Sequence, residues 1–313
     1  MEEGKKKQVK RLWQTVFEDS SEFVRFYFEQ VYKDENTLVI EKDGQVVSAL
    51  QMLPYTMTFY GEEIPVAYIS GASTLPSERG KGLMKQLLNE AVLVMEKRNI
   101  ALSILIPAGE KLFGYYRSQG YETVFRYSTV AYRISSETTA PSGIRVYMES
   151  AADVATYSYF DRILHKRRMT VQHSYENFNL ILKDMEIDRG EFYVARDTLN
   201  GNSPVGMAFV SNNISVEELL YDSPAIRELL LNEIAARHNR DGLYYRIPAA
   251  SNMPSVPFGM ARIIDAERLV NTWLQAHPKQ YKEGEMRTMN VQELTAYIMG
   301  YKNETPYMSL MMD

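Results

Sequence analysis

Hydrophobic and polar positions alternate along this chain with two periods, and the switches between them outline short strands separated by amphipathic helices. Between residues 8 and 33, Leu12, Val16, Phe23, Tyr27 and Val31 are inward candidates at helical spacing, and Asp19-Ser20-Ser21-Glu22 supplies an N-cap region. One or two helices are expected there. Leu38-Val39-Ile40 and Val46-Val47-Ser48-Ala49-Leu50 flank Asp43-Gly44, the signature of a two-residue hairpin. A third strand is predicted near residues 56–60, turning at Gly61 into an apolar strand over 66–75. Leu83, Leu87, Ala91 and Met95 mark one face of a helix over 83–98, with Lys85, Asn89, Glu96 and Lys97 mostly outside it. Residues 101–107 read as a buried strand, a short helix through 112–116 stops at Gly120, and residues 125–132 form a further strand.

The second half repeats this order in weaker form. Strands over 191–195 and 205–210 flank Asn200-Gly201-Asn202, residues 214–221 give another strand and 224–237 a helix, and Ile247-Pro248-Ala249 echoes Ile106-Pro107-Ala108. The polar run over 135–143 reads as a linker. The expected organisation is a mixed-sheet α/β fold of two tandem lobes, 1–135 and 140–257, followed by a short helical region over 258–313.

The run Pro76-Ser77-Glu78-Arg79-Gly80-Lys81-Gly82-Leu83-Met84 joins the strand over 66–75 directly to a helix. Glycines at 80 and 82 let the backbone turn sharply, and the first N–H groups of a helix lack partners inside it and lie at its positive dipole end. Such a junction suits a pyrophosphate. The corresponding junction in the second half, Asp222-Ser223-Pro224-Ala225, has no glycine and places an acid and a proline at the helix start.

Arg79-Gly80-Lys81-Gly82-Leu83-Met84 and Tyr116-Arg117-Ser118-Gln119-Gly120-Tyr121 together resemble the two motifs of the GNAT N-acetyltransferase superfamily, and the Gly-Leu-Met run resembles its enhanced-intracellular-survival branch. Met84 stands where Gly or Ala is usual. The resemblance spans residues 66 to 122 and implies acetyl-CoA as cosubstrate, with no metal. It places the backbone of Ala72, Ser73 and Thr74 along the pantetheine arm and Arg79, Gly80, Lys81, Gly82, Leu83, Met84 and Lys85 at the pyrophosphate. Tyr116 is then the general acid for the departing thiolate. By that likeness Gly259-Met260-Ala261-Arg262-Ile263-Ile264-Asp265 opens a reduced sterol-carrier-protein-like part, and the C-terminal Asp313 is a candidate base. Asp19, Glu22 or a water chain are alternatives for that base. Only the first lobe is expected to bind acetyl-CoA, the second shaping the acceptor cavity or an oligomer.

Composition narrows the chemistry. The chain has 313 residues, 45% hydrophobic and 24% charged, which suits sizeable cores. It has no cysteine, which excludes disulfides, a thiolate zinc site and a cysteine nucleophile, so direct acyl transfer is the simpler expectation. No segment of eighteen apolar residues occurs, so no membrane association and a cytoplasmic location are expected. A net charge of −5 argues against nucleic acid as partner. The basic runs 5–11 and 165–168 read as solvated faces. His165, His173, His238 and His277 lack metal-ligand spacing and read as surface or satisfied polar residues. Trp13, Tyr27, Phe28 and Tyr32 either line a cation-accepting pocket or pack the core. The leading function is acetyl transfer to a small cationic amine, with a protein or peptide acceptor and a non-catalytic acyl-CoA-binding role as the alternatives.

Overall fold

The computed structural model describes residues 4–134, 141–278, 283–300 and 305–312. Most of the 135–143 linker and Asp313 therefore lie outside the described residues. The described chain divides into two compact units, one of residues 1–125 with 257–306 and one of residues 126–256 with 307–312.

In the first unit, α1 (Lys5–Val16) buries Val9, Leu12 and Trp13. Ser20 then caps α2 (Ser21–Phe26), its hydroxyl accepting from the Phe23 amide at 3.0 Å, and a π-helical turn, Tyr27–Val31, extends it. The Asp43-Gly44 hairpin is present: both residues have positive φ, and β1 (Thr37–Lys42) pairs antiparallel with β2 (Gln45–Phe59). The separate strand expected near 56–60 is not separate. β2 runs unbroken for 15 residues and carries Pro54 within it. Pro54 lies past Gln51, the last residue of β2 that β1 pairs, so its missing N–H removes no bond to β1.

β2 pairs in turn with β3 (Glu62–Thr74). α3 (Leu83–Lys97) lays Leu87, Leu88, Ala91 and Met95 on the sheet, with Leu83 only half-buried, and leads to β4 (Leu102–Leu105), which is parallel to β3. α4 (Glu110–Arg117) ends in a turn closed by the Tyr121 amide on the Tyr116 carbonyl, with Gly120 at φ 88°. β5 (Glu122–Arg133) follows.

The second unit repeats the order of strands, helix and parallel return strand. Beyond β6 (Ile144–Glu149) come α5 (Val154–His165), β7 (Val171–Gln172) and α6 (Tyr175–Ile187). β8 (Glu191–Asp197), β9 (Ser203–Val210) and β10 (Ser215–Tyr221) form an antiparallel meander. α7 (Pro224–Arg237) then crosses to β11 (Gly242–Pro248), parallel to β10. Leu230, Leu231, Ile234 and Ala235 of α7 seal the core under this sheet.

The basic run at 165–168 departs from a solvated face at Arg167, whose guanidinium donates to the buried Glu218 carboxylate at 2.8 Å and lies over the Tyr307 ring at 4.9 Å.

Residues 258–313 do not form a unit of their own. β12 (Val256–Ile263) pairs with β4, and the Thr295 hydroxyl of α10 (Val291–Met299) accepts from the Ile263 amide, so 257–306 cluster with the first unit. Between them lie α8 (Ala266–Ala276), which buries Leu269 and Trp273, and the single turn α9 (Glu283–Met286). Tyr307–Met312 belong to the second unit, where Tyr307 exchanges main-chain bonds with Met169 and Val171.

Candidate active site

The parallel pair β3–β4 is short. It registers Val66 with Leu102, Ala67 with Ser103 and Tyr68 with Ile104, after which β3 continues for six residues without β4 beside it. Along the same stretch β3 bulges against β2. Ala49 faces Ser73 and Gln51 faces Ser70, so Gly71 and Ala72 stand opposite Leu50 alone, with Gly71 at φ 60°. The opening that results is a cavity of about 910 Å³, a size suited to a cofactor arm plus a small substrate. Residues 69–74 form one wall, and Ile106, Ala108, Leu112 and Tyr115 contribute to its lining.

At the end of β3 the chain makes a 3-10 turn, Pro76–Glu78, and enters α3. Gly80 and Gly82 have φ near 76° and 79°, and a Cβ on either would meet nothing within 4 Å. Gly82 is the N-cap and no side chain caps the helix start, so the first amides of α3 keep their donors toward the cavity's open side. Arg79 and Lys85 line the cavity, and Arg79 Nε donates to the Thr74 carbonyl at 3.2 Å. The Glu78 carboxylate is bound by Lys42 and by Lys81, the latter at 2.9 Å. Those two ammonium groups, Lys42 first, hold its pKa below the usual carboxylate range. An open, cationic, amide-lined turn fits a pyrophosphate, and the residues present match that group.

Ala72, Ser73, Thr74, Arg79, Gly80, Gly82, Leu83, Met84, Lys85 and Tyr116 all line this one cavity. Lys81 is not among the lining residues. Met84 is half-buried and packs on the core beneath α3 as well, which turns part of its bulk away from the turn. Tyr116 is 8% exposed, its ring edge-on to Tyr115 at 5.3 Å and Tyr121 at 5.9 Å. Burial, and then the neighbouring Tyr121 and Tyr115, push its pKa well above that of a free phenol. Its hydroxyl has no hydrogen-bond partner among the described residues. Tyr121 differs. It is fully buried, its hydroxyl is 2.7 Å from Ser103 Oγ, and burial pushes its pKa up to about 12, so it supports α4 from beneath.

Of the carboxylates considered as bases, Asp19 lines the cavity, where it accepts from the Trp13 indole N–H at 2.6 Å. Glu22 does not, and pairs weakly with Arg25 at 4.0 Å. Asp313 lies outside the described residues. Trp13 lines the cavity, whereas Tyr27, Phe28 and Tyr32 are core side chains. Tyr27 shares a 2.9 Å hydrogen bond with Ser70, and Phe28 stacks on Tyr32 at 5.2 Å. The role of Gly71 was not foreseen, although a glycine inside a strand is itself the signal of a bulge.

The second unit's equivalent junction is closed. Pro224 occupies the first turn of α7, and the Ser223 hydroxyl takes the Ile226 amide at 3.4 Å. Among the described residues no group of His, Cys, Asp and Glu could hold a metal, and no helix is long and apolar enough to cross a membrane.

Residues 1–124 match the family model of the acetyltransferase (GNAT) domain. The fold is similar to that of a conserved protein of unknown function from Enterococcus faecalis V583, with a TM-score of 0.69 at 17% identity over 88% of this chain and 73% of that one. It is also similar to a GCN5-related N-acetyltransferase from Anabaena variabilis, with a TM-score of 0.68 at 16% identity over 88% and 74%. Eis1 from Mycobacterium abscessus gives a TM-score of 0.64 at 14% identity over 84% and 72%. No curated protein sequence matches the chain. The first 124 residues are thus an acyltransferase domain of the GNAT type.

Proposed function

We propose that this chain transfers the acetyl group of acetyl-CoA directly to a primary amine of a small cationic molecule. The observation that carries the reading is the parting of β3 from β4 beside an uncapped, glycine-open helix start, with the Tyr116 hydroxyl in the same cavity. When bound, acetyl-CoA supplies an activated thioester carbonyl.

In this reading the amides at the α3 start, with Arg79, Gly80, Lys81, Gly82, Leu83, Met84 and Lys85, hold the pyrophosphate. The backbone of Ala72, Ser73 and Thr74 would hold the pantetheine, and an amide of the bulge would supply a hydrogen bond to the carbonyl oxygen, where negative charge develops. The amine binds as its ammonium, and its nitrogen attacks only after one proton has left to solvent. A C–N bond forms, the C–S bond breaks, the nitrogen gives up a further proton to solvent, and Tyr116 delivers one to the sulfur and is reprotonated from solvent. With reference pKa values of about 10 for a phenol and 8.5 for a thiol, that delivery is uphill by more than about 2 kcal/mol once burial raises Tyr116 further, so it accompanies C–S cleavage rather than preceding it. The absence of an open cradle at Ser223-Pro224 supports acetyl-CoA binding by the first unit alone.

The test is release of free CoA thiol from acetyl-CoA by the full chain with a panel of primary amines. Amine-dependent release is expected. Failure with every amine, by a protein that binds acetyl-CoA, would leave a binding role instead.

A further inference from the structure

We infer that Asp19 is the ammonium anchor of the acceptor, and that the acceptor is a monoamine with an apolar body rather than a polyamine; the inference rests on the transferase reading above. Two carboxylates line the cavity, Asp19 and Glu78. Glu78 is committed to Lys42 and Lys81. Asp19 is exposed and has no cation within ion-pair distance among the described residues, so it is the acidic group the cavity offers to an incoming ammonium.

Its orientation is fixed. The Trp13 indole that donates to it at 2.6 Å is 2% exposed and wedged among Phe17, Tyr27 and Phe28, with ring centroids 4.9, 4.6 and 5.7 Å away. The same indole lies against Gly71, where an added Cβ would meet it at 2.3 Å. Trp13 thereby ties the carboxylate to the bulge from which the thioester carbonyl is polarised. A charged group held by a rigid aromatic block sets the distance between nitrogen and carbonyl instead of following the substrate.

Among the described residues, the rest of that lining offers no second uncommitted carboxylate. Val16 and Phe17, three and two positions before Asp19, line the cavity with Ile106, Leu112 and Tyr115, all apolar or aromatic. One carboxylate neutralises one ammonium. A second ammonium would lose water against these side chains with no counter-charge, and ring faces return only a fraction of that cost. An aryl or alkyl body gains by the same burial.

Initial rates of CoA release by the full chain, at saturating acetyl-CoA, decide the matter with 2-phenylethylamine, spermidine and kanamycin as probes. The wild type should favour 2-phenylethylamine in kcat/KM by about tenfold or more. Asp19→Asn should raise the KM for that amine about 10- to 100-fold, as loss of a charge-assisted hydrogen bond does, with kcat within about threefold and acetyl-CoA affinity unchanged. Asp19→Glu should recover part of the loss. Trp13→Phe, which keeps a ring on Gly71 but removes the donor, should raise the amine KM in the same direction. A preference for spermidine or kanamycin overturns the inference alone. So does an unchanged amine KM in Asp19→Asn with kcat down about 100-fold, which would make Asp19 the base. No release with any amine overturns the transferase reading, and this inference with it.

Discussion

The indole of Trp13 rests directly on the backbone of Gly71, so closely that a Cβ on Gly71 would stand 2.3 Å from Trp13 Cζ3. Helix α1 is thereby seated on the bulge of β3, and Gly71 is doubly required, for its φ of 60° and for the missing side chain. Gly71→Ala should cost about 2–4 kcal/mol, from backbone strain plus overpacking. Urea unfolding measures it. A midpoint equal to wild type would mean that the indole is not seated there.

Tyr116→Phe keeps the ring packing against Tyr115 and Tyr121 and removes the hydroxyl. Turnover should fall about 10²-fold while acetyl-CoA affinity holds. Because burial raises the Tyr116 pKa, the wild-type pH–rate profile should show no alkaline loss assignable to this phenol below about pH 10. Near-normal turnover in the variant removes Tyr116 as the proton donor.

Gln51 is 1% exposed, and neither atom of its carboxamide has a hydrogen-bond partner among the described residues. It lies beside the bulge, its Nε2 3.2 Å from where a Gly71 Cβ would be. An unpaired buried amide is worse than an apolar group of similar size, so Gln51→Leu should stabilise the fold by about 1 kcal/mol. Destabilisation of that size would show instead that the amide has a partner in solution.

His173 is fully buried. Burial pushes its pKa down to about 4, against the upward pull of its hydrogen bond to the Ser309 carbonyl and of the Glu218 charge. The unfolded chain, with a His pKa of about 6.5, takes up a proton that the folded chain refuses between pH 6.5 and 4. Stability is therefore fullest above pH 6.5 and falls as pH drops through that window, by about 2 kcal/mol between pH 7 and pH 5. Unfolding titrations at the two pH values in wild type and His173→Asn should show this component only in the wild type. An equal pH dependence in both would assign it elsewhere.

Local signals with a mechanism were legible in the sequence. Asp43-Gly44 makes its hairpin, Ser20 caps α2, and the helix predicted over 224–237 is α7. The glycine turn and Tyr116, about thirty residues apart in sequence, line one cavity. The continuity of β2 through Pro54 was hidden because the proline reads as a break when its neighbour's reach is unknown. The helices α5 and α6 were not anticipated, although Asp153 and Ser174 cap them, their side chains accepting from the amides of Thr156 and Asn177. The grouping of residues 257–306 with the first unit depends on pairings such as Met260 with Leu105, more than 150 positions apart, which no local pattern encodes. The seat of Trp13 on Gly71 and its bond to Asp19 are tertiary in the same way.

Every catalytic role above requires acetyl-CoA to bind at the α3 start. Calorimetric titration of wild type and Gly82→Glu measures it, since the variant sets a carboxylate in the open space before the helix amides. Micromolar affinity in the wild type, weakened at least about 100-fold in a folded variant, is the predicted result. No binding by folded wild type, or equal binding by the two, would contradict it.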